Sequence, residues 1–312
     1  HMRNGRFIPP AGRAELEREA DALLAEQLEK TGLANETGGR FLHTCRNVRD
    51  VILFAAEKVT EEMQNSRFVP AGFEVGIGRK GERSLPALAI RTEEGKTVYL
   101  VGSIDRVDSF RKDGVTYVRV VDYKTYGKEL SMKLVNEFGL DQQMFLYLLA
   151  ACRNGGSGLR DGEVLEPAGV LYNNAELSYL SVQGTETPDE LEKRKESELR
   201  LKHTGVLLND KDVLAAMDGS EDGRYLPSGI MGAKGLKEDS SNLLTGEQFR
   251  TLFAGLERRL AEDGDGILNG RMDIRPVKAD GLADGCAYCP MKAACRYTAQ
   301  TYADGEGEGG EG

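Results

Sequence analysis

At 312 residues the chain can hold one large domain or two modest ones with an ample core. It has no apolar run of membrane-spanning length and no signal peptide, so no membrane association is expected and a cytoplasmic setting is. A net charge of −10 argues against autonomous, tight binding of DNA, because free-standing DNA binders are more often basic.

His1-Met2 reads as a cloning scar and residues 1–12 as a disordered tail. From Arg13 to Lys30, Leu16, Ala20, Leu23, Leu24 and Leu28 recur at helical spacing among charges. After a break at Gly32–Gly39, a second amphipathic helix carries Phe41, Cys45, Val48, Ile52, Ala55, Val59 and Met63 on one stripe. Cys45 is expected to be a buried structural thiol, and His43 reads as incidental. Residues 13–66 form this helical part. Strands begin near Phe68: Phe73–Ile77, Leu88–Ile90 and, after a Glu94-Gly95 turn, Val98–Val101 are expected as a meander entering the next strand. Glu74 lies on the first of these, either as an exposed strand glutamate or as part of an acidic site.

The stretch Gly102–Lys124 organises the rest. Gly102-Ser-Ile-Asp105-Arg106-Val-Asp108 and Val118-Arg-Val-Val-Asp122-Tyr123-Lys124 read as strands joined by the hairpin turn Lys112-Asp113-Gly114. Asp122 and Lys124, two apart, share one face, and an antiparallel partner brings Asp105 beside them. Two carboxylates and a lysine at a sheet end suit metal-assisted phosphodiester hydrolysis: the carboxylates hold a divalent cation and the lysine positions water. Taken alone, Asp-x-Lys is weak, since such residues are commonly solvated or form surface ion pairs.

A polar loop then leads to a helix of Leu134, Phe138, Phe145, Leu149 and Cys152, in which Gln143 and Tyr147 stand one turn apart. Gly169–Tyr172 is a strand expected beside that of Asp122. A charged helix at Pro188–Leu201, a strand at Thr204–Leu208 and a short helix at Asp212–Met217 follow, then a mobile loop at Gly219–Ser241. Thr245 with Gln248 forms a capping box opening a helix to about Glu262. Asn269–Pro276 reads as a turn and short strand. Cys286, Cys289 and Cys295 make C-x2-C-x5-C, a spacing for soft-metal or iron–sulfur ligation in a reducing compartment, with zinc as the rival metal. The acidic run from Asp304 to Glu311 reads as a disordered tail.

The order G-x-I-D-R-x-D, V-D-Y-K-T and Q-M-x-x-Y resembles the RecB-type nucleases of the PD-(D/E)XK superfamily. With Phe68–Glu74, Pro167–Tyr172, Lys202–Leu208, Leu226–Gly229, Leu244–Phe249 and the terminal cysteines, the chain is similar to the nuclease domain of AddB-type subunits of bacterial helicase–nucleases. The resemblance implies an α/β fold, a mixed central sheet flanked by helices, with a core over 67–276, a mobile insertion at about 219–241, a cysteine segment at 277–302 and a tail at 303–312.

It also implies a Mg2+-dependent deoxyribonuclease of exonuclease type, acting in end resection on single-stranded DNA fed by a helicase, with an AddA-type partner subunit. Asp105 and Asp122 would hold Mg2+ with the backbone carbonyl of Tyr123, Lys124 would orient water, and Gln143 and Tyr147 would brace the site. Arg106 would either contact phosphate or, more plainly, pair with Asp108. The family carries a [4Fe–4S] centre with three ligands matching Cys286, Cys289 and Cys295 and a fourth far upstream. No cysteine precedes Arg13, so the centre is expected to be incomplete or missing in this chain, which reads as a fragment of a larger subunit. The family's early Gly-x-x-x-His helix motif is read as missing. Rival readings are a non-catalytic DNA-binding or assembly module and a stand-alone RecB-like exonuclease.

Overall fold

The structure, a computed structural model, describes residues 2–3, 6–79, 84–124, 127–160, 162–174, 187, 202–220, 222–232, 235–271, 276–279, 283–287 and 289–295. Two compact units share the chain. One comprises residues 1–130 and 142–265, the other 131–141 and 266–312.

The first unit opens with a two-residue pairing of β1 (Met2–Arg3) and β2 (Arg6–Phe7). The helices α1 (Arg13–Lys30) and α2 (Gly39–Asn65) follow where their apolar spacing predicts them. They meet through Leu16 and Ala20 on one side and Leu53 on the other, with Ile52 and Ala56 alongside. The first half of α2 is less covered, and Cys45 there is half-buried, not enclosed as its stripe suggested.

The central sheet is built on β7 (Gly102–Lys112) and β8 (Val115–Lys124), an antiparallel pair in which Arg106 faces Val121 and Asp108 faces Arg119. Asp113 and Gly114 at its turn both have positive φ, 51° and 82°. That backbone matches the right-handed twist of the flanking strands, and Asp-Gly adopts it at low cost. β3 (Val69–Ile77) pairs antiparallel with β7 and carries β4 (Ser84–Leu85) on its outer edge. On the other side β9 (Leu165–Asn174) runs parallel to β8, placing Tyr172 beside Asp122. β10 (Lys202–Leu208) pairs antiparallel with β9, and β13 (Leu243–Leu244) closes the order β13-β10-β9-β8-β7-β3-β4. The sheet is therefore mixed, with helices on its faces.

Two expectations need correction. β5 (Leu88–Arg91) and β6 (Thr97–Leu100) form a separate two-stranded sheet instead of a meander feeding β7. β3 already occupies the edge of β7, with Val75 opposite Ile104 and both fully buried, so the hairpin is excluded from that edge. The helix expected from Leu134 to Cys152 is also broken: a π-turn at Leu134–Phe138 ends at Gly139 with φ 67°, and α3 (Gln143–Asn154) starts afresh. α3 buries Met144, Phe145, Leu148 and Leu149 completely and packs on β8 and β9. Each such side chain contributes about 2 kcal/mol by leaving water. Cys152 near its end is half-buried, and burial pushes its thiol pKa well up.

The helix α4 (Lys211–Met217) is capped by Asp210, whose carboxylate accepts from the N–H groups of Asp212 and Val213. Within Gly219–Ser241 a hairpin pairs β11 (Met231–Gly232) with β12 (Gly235–Leu236), and the carboxylate of Asp218, at the end of α4, accepts the N–H groups of Ser220 and Tyr225. The capping box forms as expected. Thr245 N–H donates to Gln248 Oε1 at 2.7 Å and Gln248 N–H to Thr245 Oγ1 at 3.2 Å, opening α5, which runs from Gly246 to Leu268. The second unit contains the pair β14 (Lys278–Ala279) and β15 (Ala283–Asp284) and the short helix α6 (Lys292–Cys295). The helix expected at Pro188–Leu201 and most of the strand before Pro276 lie outside the described residues. Among the described residues no helix is long and apolar enough to cross a membrane.

Candidate active site

Asp105 stands one step before the Arg106–Val121 pair and Asp122 one step after it, so the antiparallel register puts the two carboxylates opposite each other. Asp105 Oδ2 accepts the backbone N–H of Tyr123 at 3.0 Å. Lys124 Nζ lies 2.5 Å from Asp122 Oδ2, with the side chains 23% and 9% exposed. Burial raises the Asp122 pKa, the neighbouring Asp105 charge raises it further, and Lys124 opposes both. Lys124 also lies 5.6 Å from the centre of the Tyr172 ring.

The rim is set by adjoining elements. Gln143, the first residue of α3, donates its amide to Tyr147 Oη at 2.9 Å. Tyr147 in turn lies against Gly102. A methyl group at that glycine would sit 2.9 Å from Tyr147 Cε1, so the first residue of G-x-I-D-R-x-D is small to admit the ring. Glu74 is exposed on β3, between Phe73 opposite Arg106 and Val75 opposite Ile104, hence level with Asp105. Its φ of 46° is the left-handed region, which costs a non-glycine residue about 1–3 kcal/mol. After Lys124 the chain is held down at Lys128. Its N–H donates to Asn174 Oδ1 at 3.0 Å, and its carbonyl accepts from Thr204 Oγ1 at 2.6 Å.

Beneath this site lies a buried ionic network that the sequence reading did not find. Glu62 of α2, Arg106 and Asp108 of β7, and Arg119 of β8 all have fully buried side chains. Arg106 donates to Asp108 Oδ2 at 3.1 Å, Tyr123 Oη at 2.6 Å and Glu62 Oε1 at 3.0 Å. Arg119 donates to the same Asp108 and Glu62 oxygens at 2.8 and 2.6 Å and lies over the Phe68 ring. Arg106 therefore takes the plainer of its two expected roles, pairing with Asp108, and no phosphate can reach it. Two cations and two anions balance, as burial requires.

Burial pushes the Glu62 carboxyl up, but the two guanidiniums outweigh it and hold the pKa at about 2. His203 of β10, bonded through Nδ1 to Asn173 Oδ1 at 2.6 Å, is pushed down by burial to about 4. Both shifts favour the fold at neutral pH. Below its ordinary pKa of 6.5, His203 takes up a proton more readily unfolded than folded. Stability is lost between that value and about 4, and the Glu62 contribution goes between about 4.5 and 2. The melting temperature should fall as pH drops from 7 to 5, and His203→Gln should flatten that part of the profile. An unchanged slope in the variant would remove His203 as its source.

The terminal cysteines lie in the second unit, and His43 lies on α2 of the first. Cys286 is buried, while Cys289 and Cys295 are half-buried and all three are free thiols. Cys289 N–H bonds the Cys286 carbonyl in a turn, and Cys295 closes α6. Among the described residues no three His, Cys, Asp or Glu side chains converge as a metal-holding group. His43 is exposed at the head of α2 and bonds Asn47. The motif read as missing is in fact present, because Gly39-Arg-Phe-Leu-His43 has the Gly-x-x-x-His spacing in that helix's first turn.

The profile of the PD-(D/E)XK nuclease superfamily matches residues 6–296. Relatives named as the B subunits of ATP-dependent helicase/deoxyribonucleases are similar over most of the chain. That of Clostridium novyi is 31% identical over 86% of this chain and 23% of its own length. Those of Bacillus thuringiensis and Thermoanaerobacter sp. are 30% and 29% identical over 84% and 83% of this chain, each over 22% of its own length. The chain thus spans less than a quarter of these curated relatives. With the mixed sheet and the V-D-Y-K strand in place, the match over nearly all the described residues shows that this chain belongs to the PD-(D/E)XK nuclease superfamily.

Proposed function

We propose that the chain is a metal-dependent deoxyribonuclease, the nuclease part of an AddAB-type helicase–nuclease acting in double-strand-break end resection and recombinational repair. The observation that carries this reading is the pairing of Asp105 with Asp122 beside Lys124. Two like charges together, one of them buried, suit a hard divalent cation with oxygen ligands. Bound Mg2+ would neutralise phosphate charge and favour ionisation of water. Asp105 and Asp122 hold it, with the backbone carbonyl of Tyr123. Lys124 orients the attacking water and places positive charge beside the phosphate. Gln143 and Tyr147 brace the DNA side of the site, and Glu74, in its strained backbone, adds a carboxylate at the rim.

The name of the relatives supports a DNA substrate and a helicase partner; the proposal is that the substrate is single-stranded DNA delivered by an AddA-type subunit in the cytoplasm. The net charge fits a nuclease that receives its DNA from a larger machine. The division proposed for the chain is helices at 13–66, nuclease core at 67–276, with an insertion at about 219–241, and cysteine segment at 277–302, between tails at 1–12 and 303–312. Incubating the purified chain with end-labelled single-stranded DNA, in Mg2+ or in chelator, tests the activity. Metal-dependent cutting is expected, and cutting in chelator would overturn the reading.

At the cysteines, the proposal is that the [4Fe–4S] centre is incomplete or missing in this chain: Cys286, Cys289 and Cys295 match three ligands by spacing, and Cys45 and Cys152 stand apart from that cluster in the sequence. Iron and sulfide analysis should find no stoichiometric cluster. A broad visible absorbance with matching iron and sulfide would contradict this.

A further inference from the structure

The dipeptide Asp105-Arg106 grips Tyr123 at both ends. Asp105 takes the backbone N–H of Tyr123 at 3.0 Å, and Arg106 takes its phenol oxygen at 2.6 Å. Consecutive strand residues leave opposite faces of a sheet, so the two contacts bracket the end of β8 from both sides. Tyr123 separates Asp122 from Lys124, and nothing can shift it without moving both. Arg106 is itself immobile, since Glu62 and Asp108 hold its other nitrogens and its side chain has no exposure to water. Arg119 shares both of those acidic partners but lies over Phe68, with no contact to Tyr123 among its bonds. One arginine joins α2 to the sheet. The other does so and also reaches the reacting edge. Packing alone would be served by phenylalanine at 123; among the described residues the hydroxyl takes its hydrogen bond from Arg106.

We propose that Arg106, anchored by Glu62, is a positioning residue: through the Tyr123 hydroxyl it sets the spacing of Asp105 and Asp122 for a divalent cation. The inference rests on the cation site proposed above, and its test does not depend on cutting. Outer partners that orient cation-holding groups typically change metal affinity or activity 10–100-fold when removed, at roughly constant fold.

The experiment is calorimetric titration of Mn2+ into the whole chain without DNA, for the parent, Asp122→Asn, Tyr123→Phe, Arg106→Lys and the Tyr123→Phe/Arg106→Lys double variant. The parent should bind through the carboxylates, and Asp122→Asn should abolish binding. Tyr123→Phe should melt close to the parent yet bind Mn2+ about 10-fold more weakly. Adding Tyr123→Phe to Arg106→Lys should weaken Mn2+ binding no further than Arg106→Lys alone, because the link through the Tyr123 hydroxyl is already lost when the arginine is replaced. In cutting assays Tyr123→Phe should lower kcat and raise the Mg2+ requirement with KM for DNA unchanged, a split that general loosening of the fold does not give. A folded Tyr123→Phe chain with parental Mn2+ affinity overturns the proposal, as does parental binding indifferent to Asp122→Asn. If that variant fails to fold, Arg106→Lys carries the same measurement. A parent that binds Mn2+ through Asp122 but leaves DNA intact would remove the nuclease reading alone.

Discussion

Lys124→Ala is expected to cut DNA about 100- to 1,000-fold more slowly than the parent, the usual loss when one preorganised electrostatic group is removed from a reacting centre. The fold should survive, because the lysine side chain is 23% exposed at the end of β8 and its contacts include an ion pair with Asp122 and the face of the Tyr172 ring, neither of which holds the core together. KM for DNA should change little, since one lysine at the reacting phosphate contributes mainly where charge develops. The pH profile should move as well. Lys124 opposes the burial and the Asp105 charge that raise the Asp122 pKa. Without it Asp122 holds its proton to higher pH, so the acidic limb of the profile shifts upward. Single-turnover rates across pH, beside melting curves, read both effects. Unchanged cleavage in a folded variant would remove Lys124 from the mechanism.

The second large effect concerns stability. Glu62→Ala should lower the unfolding free energy by about 3–5 kcal/mol, the cost of breaking a buried ion pair and stranding its partner. Two partners are stranded here: Arg106 and Arg119 would share only Asp108, with no route to water. The denaturant midpoint should fall with little change in slope, because native and unfolded surfaces are nearly the same. A surface glutamate on the same helix, such as Glu57, should change stability far less when replaced, as its pair with Arg13 is exposed. Equal effects from the two positions would contradict the network's role.

The parts of this protein that were legible in the sequence are those written by local chemistry. Asp113-Gly114 fixes the β7–β8 hairpin, and the hairpin fixes the register that sets Asp105 against Asp122. The extent of α1 from Arg13 to Lys30 follows from apolar spacing, and the start of α5 from the Thr245–Gln248 capping box. What the sequence concealed depends on distant strands and helices. Glu62 sits in a run of charged residues and reads as solvated until α2 is laid on the sheet. Asp108 faces Arg119 directly, a pairing deducible only after the register is known. The hairpin of β5 and β6 follows a local pattern correctly predicted as strands, but which sheet it joins is decided by β3 winning the edge of β7. The cysteine spacing is plain in the chain, whereas convergence of the thiols on one metal is a tertiary property that spacing alone does not fix.

The most direct measurement is single-turnover cleavage of end-labelled single-stranded DNA by the purified chain in Mg2+, run beside Asp122→Asn and beside chelator. Cutting by the parent in Mg2+, with none in chelator and none by the folded variant, is the result predicted for a site built on Asp105, Asp122 and Lys124. Cutting that survives loss of Asp122, or a folded parent that leaves the DNA whole in Mg2+, would contradict it.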